Sequence, residues 1–157
     1  MVDIRPLGDD AEARACATIM ATNDPWITLG RTFDRCLATM RDEALERYVA
    51  TSNSEIVGLL LISMRGAFTG YIKSVAVRDD WRSKGVGRAL LGFAEERIFR
   101  ESPNVFICVS SFNPRARSLY ERIGYEPVGV LRDFIMRGYD EILFRKTTGP
   151  LTEFRPR

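Results

Sequence analysis

The segment DDWRSKGVGRALL combines two glycines with three cationic side chains just before a helical pattern, and it follows the apolar run YIKSVAV. Gly85 and Gly87 would let an anion approach the N-terminus of that helix, where unpaired N–H groups and the helix dipole favour negative charge. Arg82, Lys84 and Arg88 would add positive charge around it. The same residues also fit a plain tight turn, with glycines that permit the bend and basic side chains in water.

Two common phosphate-binding motifs do not fit this segment. The run GVGRAL has leucine where the dinucleotide motif GxGxxG needs its third glycine, and the chain contains no GxxxxGK[ST] sequence. The sequence therefore argues against both an NAD-dependent enzyme and a P-loop ATPase.

The composition predicts one globular domain. The chain has 157 residues, 45% of them hydrophobic, and a formal net charge of +2. We expect a single domain over residues 1–146 and an extended tail over residues 147–157 that is loose or packed on a partner. The small net charge gives no reason to expect nucleic acid or a membrane surface as a partner, and a homodimer is left open.

Cysteine and histidine usage narrows the chemistry. The sequence contains no histidine, which removes Ser-His-Asp and Cys-His nucleophile pairs. Cys16, Cys36 and Cys108 are widely spaced and match no metal-binding pattern, so we expect neither disulfides nor a metal. The N-terminus has no signal-peptide pattern and no apolar run reaches the length of a membrane span, so we expect a cytoplasmic protein.

Periodicity predicts an α/β fold with a mixed sheet. Strands are expected over residues 2–7, in a hairpin over 47–64, and over 70–77, 104–110, 126–134 and 139–146. Helices are expected over residues 11–22, 31–44, 87–100 and 111–127. The helix between residues 70–77 and 104–110 predicts a parallel crossover. In the last helix, Asn113 is the expected N-cap, Pro114 the first helical residue, and Gly124 lies beyond the C-terminus.

Arg82-x-x-Gly85-x-Gly87 resembles the acetyl-CoA signature [QR]-x-x-G-x-[GA] of the GCN5-related N-acetyltransferases. The block NPRARSLYERIGY, residues 113–125, is similar to a second block of that family, with its Asn, Ala, Leu-Tyr-Glu and Gly-aromatic pair. The close match covers residues 70–126. It implies that family's mixed, mostly antiparallel sheet of six to seven strands with about four flanking helices.

The resemblance also implies an acetyl-CoA site. The backbone of Val75, Ala76 and Val77 would pair with the pantetheine arm, and Asn113 would contact the cofactor besides capping its helix. The N–H groups of the loop would hold the pyrophosphate, and this loop comprises Arg82, Ser83, Lys84, Gly85, Val86, Gly87 and Arg88.

Tyr120 is the catalytic residue that the resemblance implies. It would stand near the sulfur and protonate the departing CoA thiolate, because a phenol of pKa about 10 is protonated at neutral pH. Tyr120 also lies on the apolar face of its helix, where a packed core tyrosine would fit. The implied reaction is direct attack of an amine on the thioester.

The acceptor and the base are not fixed by the sequence. We expect a primary amine of a small molecule or peptide, with two alternatives: acetylation of a protein N-terminus or lysine, and a CoA-binding regulatory domain without turnover. Relatives that acetylate protein N-termini often carry Glu twelve residues before the tyrosine, where this chain has Cys108.

The role of Lys73 is open. Acids that could serve as base are Asp24, Glu55, Asp133, Asp140 and Glu141. Candidate apolar walls for the acceptor are Trp26, Phe33, Phe134, Met136 and Tyr139.

Overall fold

The computed structural model describes all residues from Met1 to Arg157 and contains one seven-stranded sheet in the order β1-β2-β3-β4-β5-β7-β6. The strands are β1 (Asp3–Pro6), β2 (Glu46–Ser52), β3 (Glu55–Ser63), β4 (Tyr71–Val77), β5 (Asn104–Ser110), β6 (Glu126–Met136) and β7 (Tyr139–Thr147). The helices are α1 (Asp10–Ala21), α2 (Phe33–Met40), α3 (Val86–Ile98) and α4 (Pro114–Arg122). Only β4 and β5 pair in parallel, so the predicted mixed sheet with one crossover is confirmed.

The local signals read from the sequence act where they were expected. Asn53 and Ser54 both have positive φ values at the β2–β3 turn, as a two-residue hairpin connection requires. The Asn113 side chain accepts a hydrogen bond from the Ala116 N–H at 3.2 Å and caps α4, and Gly124 follows that helix with φ of 100°. None of the helices has the length and hydropathy that crossing a bilayer would require.

The sheet has a separate apolar layer on each face. Leu90, Ile98, Ile107 and Phe144 belong to the cluster between the sheet and α3, which α4 joins through Tyr120. The second cluster lies under α1 and α2, and its buried members are Ala13, Cys16, Ala17, Ile19, Met20, Cys36, Leu37, Met40, Val49, Leu59, Leu61 and Ala76. We call these two sides the α3 face and the α1 face.

A β-bulge at Lys73 interrupts β4. Leu61 of β3 pairs with Ser74 and Ile62 pairs with Ile72, which leaves Lys73 without a partner in the register. The extra residue shifts the alternation of side chains: Ile72 lies on the α3 face, whereas Ala76, four residues later, lies on the α1 face. The open role of Lys73 therefore receives a structural answer, as the inserted residue of the bulge.

The bulge coincides with the point where β4 leaves β5. The two strands pair only at Tyr71 with Phe106 and at Ile72 with Ile107. Beyond these pairs the strands diverge, and the β5-facing edge of residues 73–77 has no partner in the sheet. The middle of the sheet therefore contains an open edge, which is normally a feature of its margins.

The C-terminal tail folds back onto its own chain. The sequence predicted a loose or partner-bound arm from residue 147, but Thr147 still belongs to β7. The Thr148 N–H donates to the Pro103 carbonyl at 2.9 Å, and the Arg157 N–H donates to the Arg100 carbonyl at 3.2 Å. The tail is thus held by backbone carbonyls just beyond α3. Its prolines and glycine indicated only that no regular helix or strand continues there.

Gly70 sets the start of the parallel pair. Its φ is +92°, and its carbonyl accepts a hydrogen bond from the Phe106 N–H at 2.9 Å. A Cβ atom built at this position would lie 2.6 Å from Ile98 Cγ2 and would overlap the Asn104 carbonyl oxygen. The close approach of β4 to β5 thus depends on the missing side chain.

We expect Gly70→Ala to lower the free energy of unfolding by about 2 kcal/mol or more, because a left-handed backbone and an overlap in packed surroundings each cost about 1–2 kcal/mol. The matched control is Gly92→Ala at an exposed position of α3, where an added Cβ meets nothing within 4 Å. That change should raise the stability by about 0.5–1 kcal/mol. Urea unfolding measures both, and equal effects would contradict the assigned role of Gly70.

Candidate active site

A cleft of about 1210 Å³ opens where β4 and β5 diverge. It is lined by both strands, by the loop before α3, by α4, by the segment from α1 to α2, and by the tip of the β6–β7 hairpin. Because the gap lies between two strands, the cleft reaches from the α3 face to the α1 face. Two reactants could therefore meet in it from opposite sides.

Val75, Ala76 and Val77 line the cleft. Their other edge pairs with β3, since Leu60 opposes Val75 and Leu59 opposes Ala76. Only the edge toward the gap is free. An extended ligand with amide groups could hydrogen-bond along this edge in the way that an added strand does.

The glycine-containing loop lies at one end of this edge. Gly85 is the N-cap of α3 with φ of +85°, and Ser83 also has a positive φ, 61°. α3 begins directly after this turn, and the first N–H groups of a helix have no partner within it. Ser83, Gly85 and Gly87 line the cleft.

The basic residues of the loop separate into two groups. Arg82 and Arg88 line the cleft, and Arg82 donates a 2.6 Å hydrogen bond to Asn23 Oδ1 beyond α1. Lys84 instead places its ammonium group 5.0 Å from the centre of the Trp81 ring, and Val86 is buried in the core. The side chains of Lys84 and Val86 thus lie outside the cleft lining.

Two further arginines from α4 add charge to the same opening. Arg115 and Arg122 line the cleft, and Arg115 donates to the Ser83 hydroxyl of the loop. Neither arginine was predicted from the sequence as part of the site. The signal was present, because the block NPRARSLYER carries its basic residues just after the Asn113 cap. The opening therefore combines a helix N-terminus with Arg82, Arg88, Arg115 and Arg122.

Asn113 and Tyr120 both line the cleft from α4. The Oδ1 atom of Asn113 is used by the cap, which leaves its amide nitrogen for another partner. Tyr120 is 6% exposed and packs edge-on to Phe144, with 6.1 Å between the ring centres. Burial raises the pKa of Tyr120 well above its usual value, and the Glu141 carboxylate raises it further. Its hydroxyl therefore keeps its proton at any physiological pH.

Four polar side chains line the cleft on the α1 face of the sheet, whereas Tyr120 lies on the α3 face. Ser110 of β5 pairs directly with Glu141 of β7, and Tyr71 of β4 pairs with Phe106, two residues before Cys108. Paired residues share a face, so Tyr71, Cys108, Ser110 and Glu141 lie on the same side. All four line the cleft.

The five acids considered as bases occupy different places. Glu55 pairs with Arg78 at 3.2 Å, away from the cleft. Asp133 and Asp140 shape the β6–β7 turn, where Asp133 accepts from the Gly138 N–H and Asp140 accepts from the Asp133 N–H. Asp24 and Glu141 are the two that line the cleft.

The apolar walls also differ in part from those expected. Trp26 and Phe134 line the cleft, and Trp26 packs against the α1–α2 cluster as well. Further wall residues, not predicted from the sequence, are Leu29, Phe112 and Ile135, together with Arg31 just before α2 and Arg35 within it. Phe33, Met136 and Tyr139 do not line it; Tyr139 packs edge-on to Phe112 at 5.2 Å.

A mixed, mostly antiparallel sheet of seven strands with one parallel crossover is the architecture that the resemblance to acetyltransferases implied. The chain belongs to the Acetyltransferase (GNAT) family, whose sequence profile matches residues 12–125. It is 30% identical over 110 residues to an N-alpha-acetyltransferase of Sulfurisphaera tokodaii, and the match covers 61% of this chain and 65% of that protein.

Solved structures agree on the fold. The ribosomal-protein-S18-alanine N-acetyltransferase from Escherichia coli superposes with a TM-score of 0.77 at 20% identity, covering 100% of both chains. An aminoglycoside 6'-N-acetyltransferase complexed with coenzyme A gives a TM-score of 0.77 at 16% identity, covering 99% of each chain. At these identities the likeness establishes the fold alone.

Proposed function

We propose that this protein transfers the acetyl group of acetyl-CoA to a primary amine of a small molecule or peptide. The observation that carries the proposal is the open β4 edge with the basic α3 loop at its end. The edge is long enough for the amide-containing pantetheine arm, and the loop offers N–H groups and arginines to the pyrophosphate. The coenzyme A complex of the aminoglycoside enzyme, which shares the fold, supports this choice of ligand.

The acetyl group would then lie between Tyr120 and the α1 face. The amine attacks the thioester carbonyl carbon, a C–N bond forms, and the C–S bond breaks as the tetrahedral intermediate collapses. Tyr120 gives its phenolic proton to the leaving thiolate. Burial makes the phenol a weaker acid, but it also guarantees that the proton is present when the thiolate forms.

The acceptor enters from the α1 face in this arrangement. The relatives' names give an alanine of a ribosomal protein and an aminoglycoside nitrogen as targets, so amine acceptors of different size are accommodated by this fold. The exposed Phe134 and the half-buried Trp26 line the acceptor side and suit an acceptor with an apolar part.

Acetyl-CoA should raise the midpoint of thermal unfolding of the parent protein, because a ligand bound only by the folded state stabilises it by about 2.7 kcal/mol at 100 times its Kd. Arg88→Glu should weaken acetyl-CoA binding about tenfold or more, since it reverses a charge beside the phosphates. Arg100→Glu, just beyond the C-terminus of α3 and outside the cleft lining, is the control and should bind like the parent. An absence of any shift at saturating acetyl-CoA would refute the proposed function.

Tyr120→Phe should lower kcat about 100-fold while acetyl-CoA affinity stays unchanged, because the general acid is lost and the packing is kept. Tyr125→Phe is the matched control: this second buried tyrosine lies 6.0 Å from Tyr120 between ring centres, outside the cleft lining. The measurement is thiol release in steady state, with binding followed by calorimetry. Parent-like kcat in Tyr120→Phe would remove the acid assignment.

A further inference from the structure

Glu141 is the most deeply buried carboxylate in the cleft, at 5% exposed. Neither its Oε2 atom nor the opposing Ser110 Oγ has a hydrogen-bond partner within the chain, and it forms no ion pair. A buried carboxylate without partners is costly, so proteins seldom keep one without a use. An incoming cation would supply the missing partner.

The other groups on the α1 face cannot take a proton easily at neutral pH. Burial raises the pKa of the Tyr71 phenol and of the Cys108 thiol, so both are protonated and neutral. Asp24 already accepts hydrogen bonds from the Thr28 N–H at 3.0 Å and from its hydroxyl at 2.6 Å, which lower the Asp24 pKa. A carboxylate with a lowered pKa is a weaker base.

We infer that Glu141 binds the ammonium form of the acceptor and removes its proton, as the general base opposite Tyr120. The inference rests on the proposed acetyl transfer. Two observations carry it: the unpartnered Oε2 of Glu141 in the cleft, and the position of Glu141 on the α1 face of the sheet, whereas Tyr120 lines the same cleft from the α3 face. Burial also raises the pKa of Glu141 and thereby strengthens it as a base.

The protons balance in this scheme. The acceptor R–NH3+ gives one proton to the Glu141 carboxylate, which later releases it to solvent. The neutral amine attacks the carbonyl carbon, and Tyr120 protonates the departing sulfur. As the tetrahedral intermediate collapses, a second nitrogen proton restores the Tyr120 phenol. The products are the amide with one N–H, CoA as the thiol, and one proton.

The pH profile separates a base from a structural carboxylate. In the parent, kcat/KM for n-butylamine should rise as Glu141 ionises and then level off, because the enzyme deprotonates the bound ammonium itself. In Glu141→Gln only the free amine can react, so log kcat/KM should rise with a slope of about 1 per pH unit toward the amine pKa of about 10.4. At neutral pH, kcat/KM of this variant should be about 100-fold lower than that of the parent. Groups that also face this part of the cleft are Tyr71, Cys108 and Tyr120, with Asp24, Arg31 and Arg35 on the acceptor side.

The controls distinguish failure of this inference from failure of acetyl transfer. Glu141→Gln keeps the size of the side chain and removes a buried unpaired charge, so its unfolding midpoint should equal or exceed that of the parent, and it should bind acetyl-CoA normally. Asp140→Asn changes the neighbouring acid and should keep the parent profile. Glu141→Asp keeps a carboxylate and should retain the plateau at a lower level.

A plateau in Glu141→Gln within twofold of the parent would overturn the inference while leaving acetyl transfer intact. Loss of both the plateau and acetyl-CoA binding in Glu141→Gln, with no plateau in Glu141→Asp, would assign Glu141 a purely structural role. A parent that binds acetyl-CoA but releases no thiol with n-butylamine at any pH would also overturn the inference. A parent that does not bind acetyl-CoA would refute the proposed function itself.

Discussion

The divergence of β4 from β5 is the constraint on which the rest of the structure depends. A sheet gains stability by pairing every interior edge, yet here the parallel pair ends after Ile72, and Lys73 is inserted as a bulge. The cost of the unpaired edge is offset by continuous pairing on both outer sides, from β1 to β4 and from β5 to β6. Gly70 fixes the closed end of the gap, and the α3 loop lies at its open end.

The gap also arranges charge. Cationic side chains and a helix N-terminus meet at the opening, whereas the interior holds neutral phenols and a thiol with one carboxylate. Interactions between charges strengthen as water is excluded, so the carboxylate deep in the cleft acts on its surroundings more strongly than the acids at the β6–β7 turn. The same burial raises the pKa of Tyr120 and of Glu141, which suits an acid on one face and a base on the other.

The sequence predicted what local chemistry determines. The Asn113 cap, the hairpin over residues 47–64 and the helical spacing of α3 depend on residues close in sequence, and all are found. The bulge was not predictable, because one extra residue in YIKSVAV does not disturb the apolar pattern enough to be noticed. Glu141 could not be separated from Asp140 either, since their different burial comes from the pairing of β7 with β5.

The central claim is that acetyl-CoA completes the sheet by pairing with the free edge of β4. Amide hydrogen exchange followed by NMR, with and without acetyl-CoA, tests it most directly. The account predicts that those N–H groups of residues 73–77 that point away from β3 exchange rapidly in the free protein and are protected when acetyl-CoA binds. Binding that protects the α3 loop but leaves every β4 amide unchanged would contradict it.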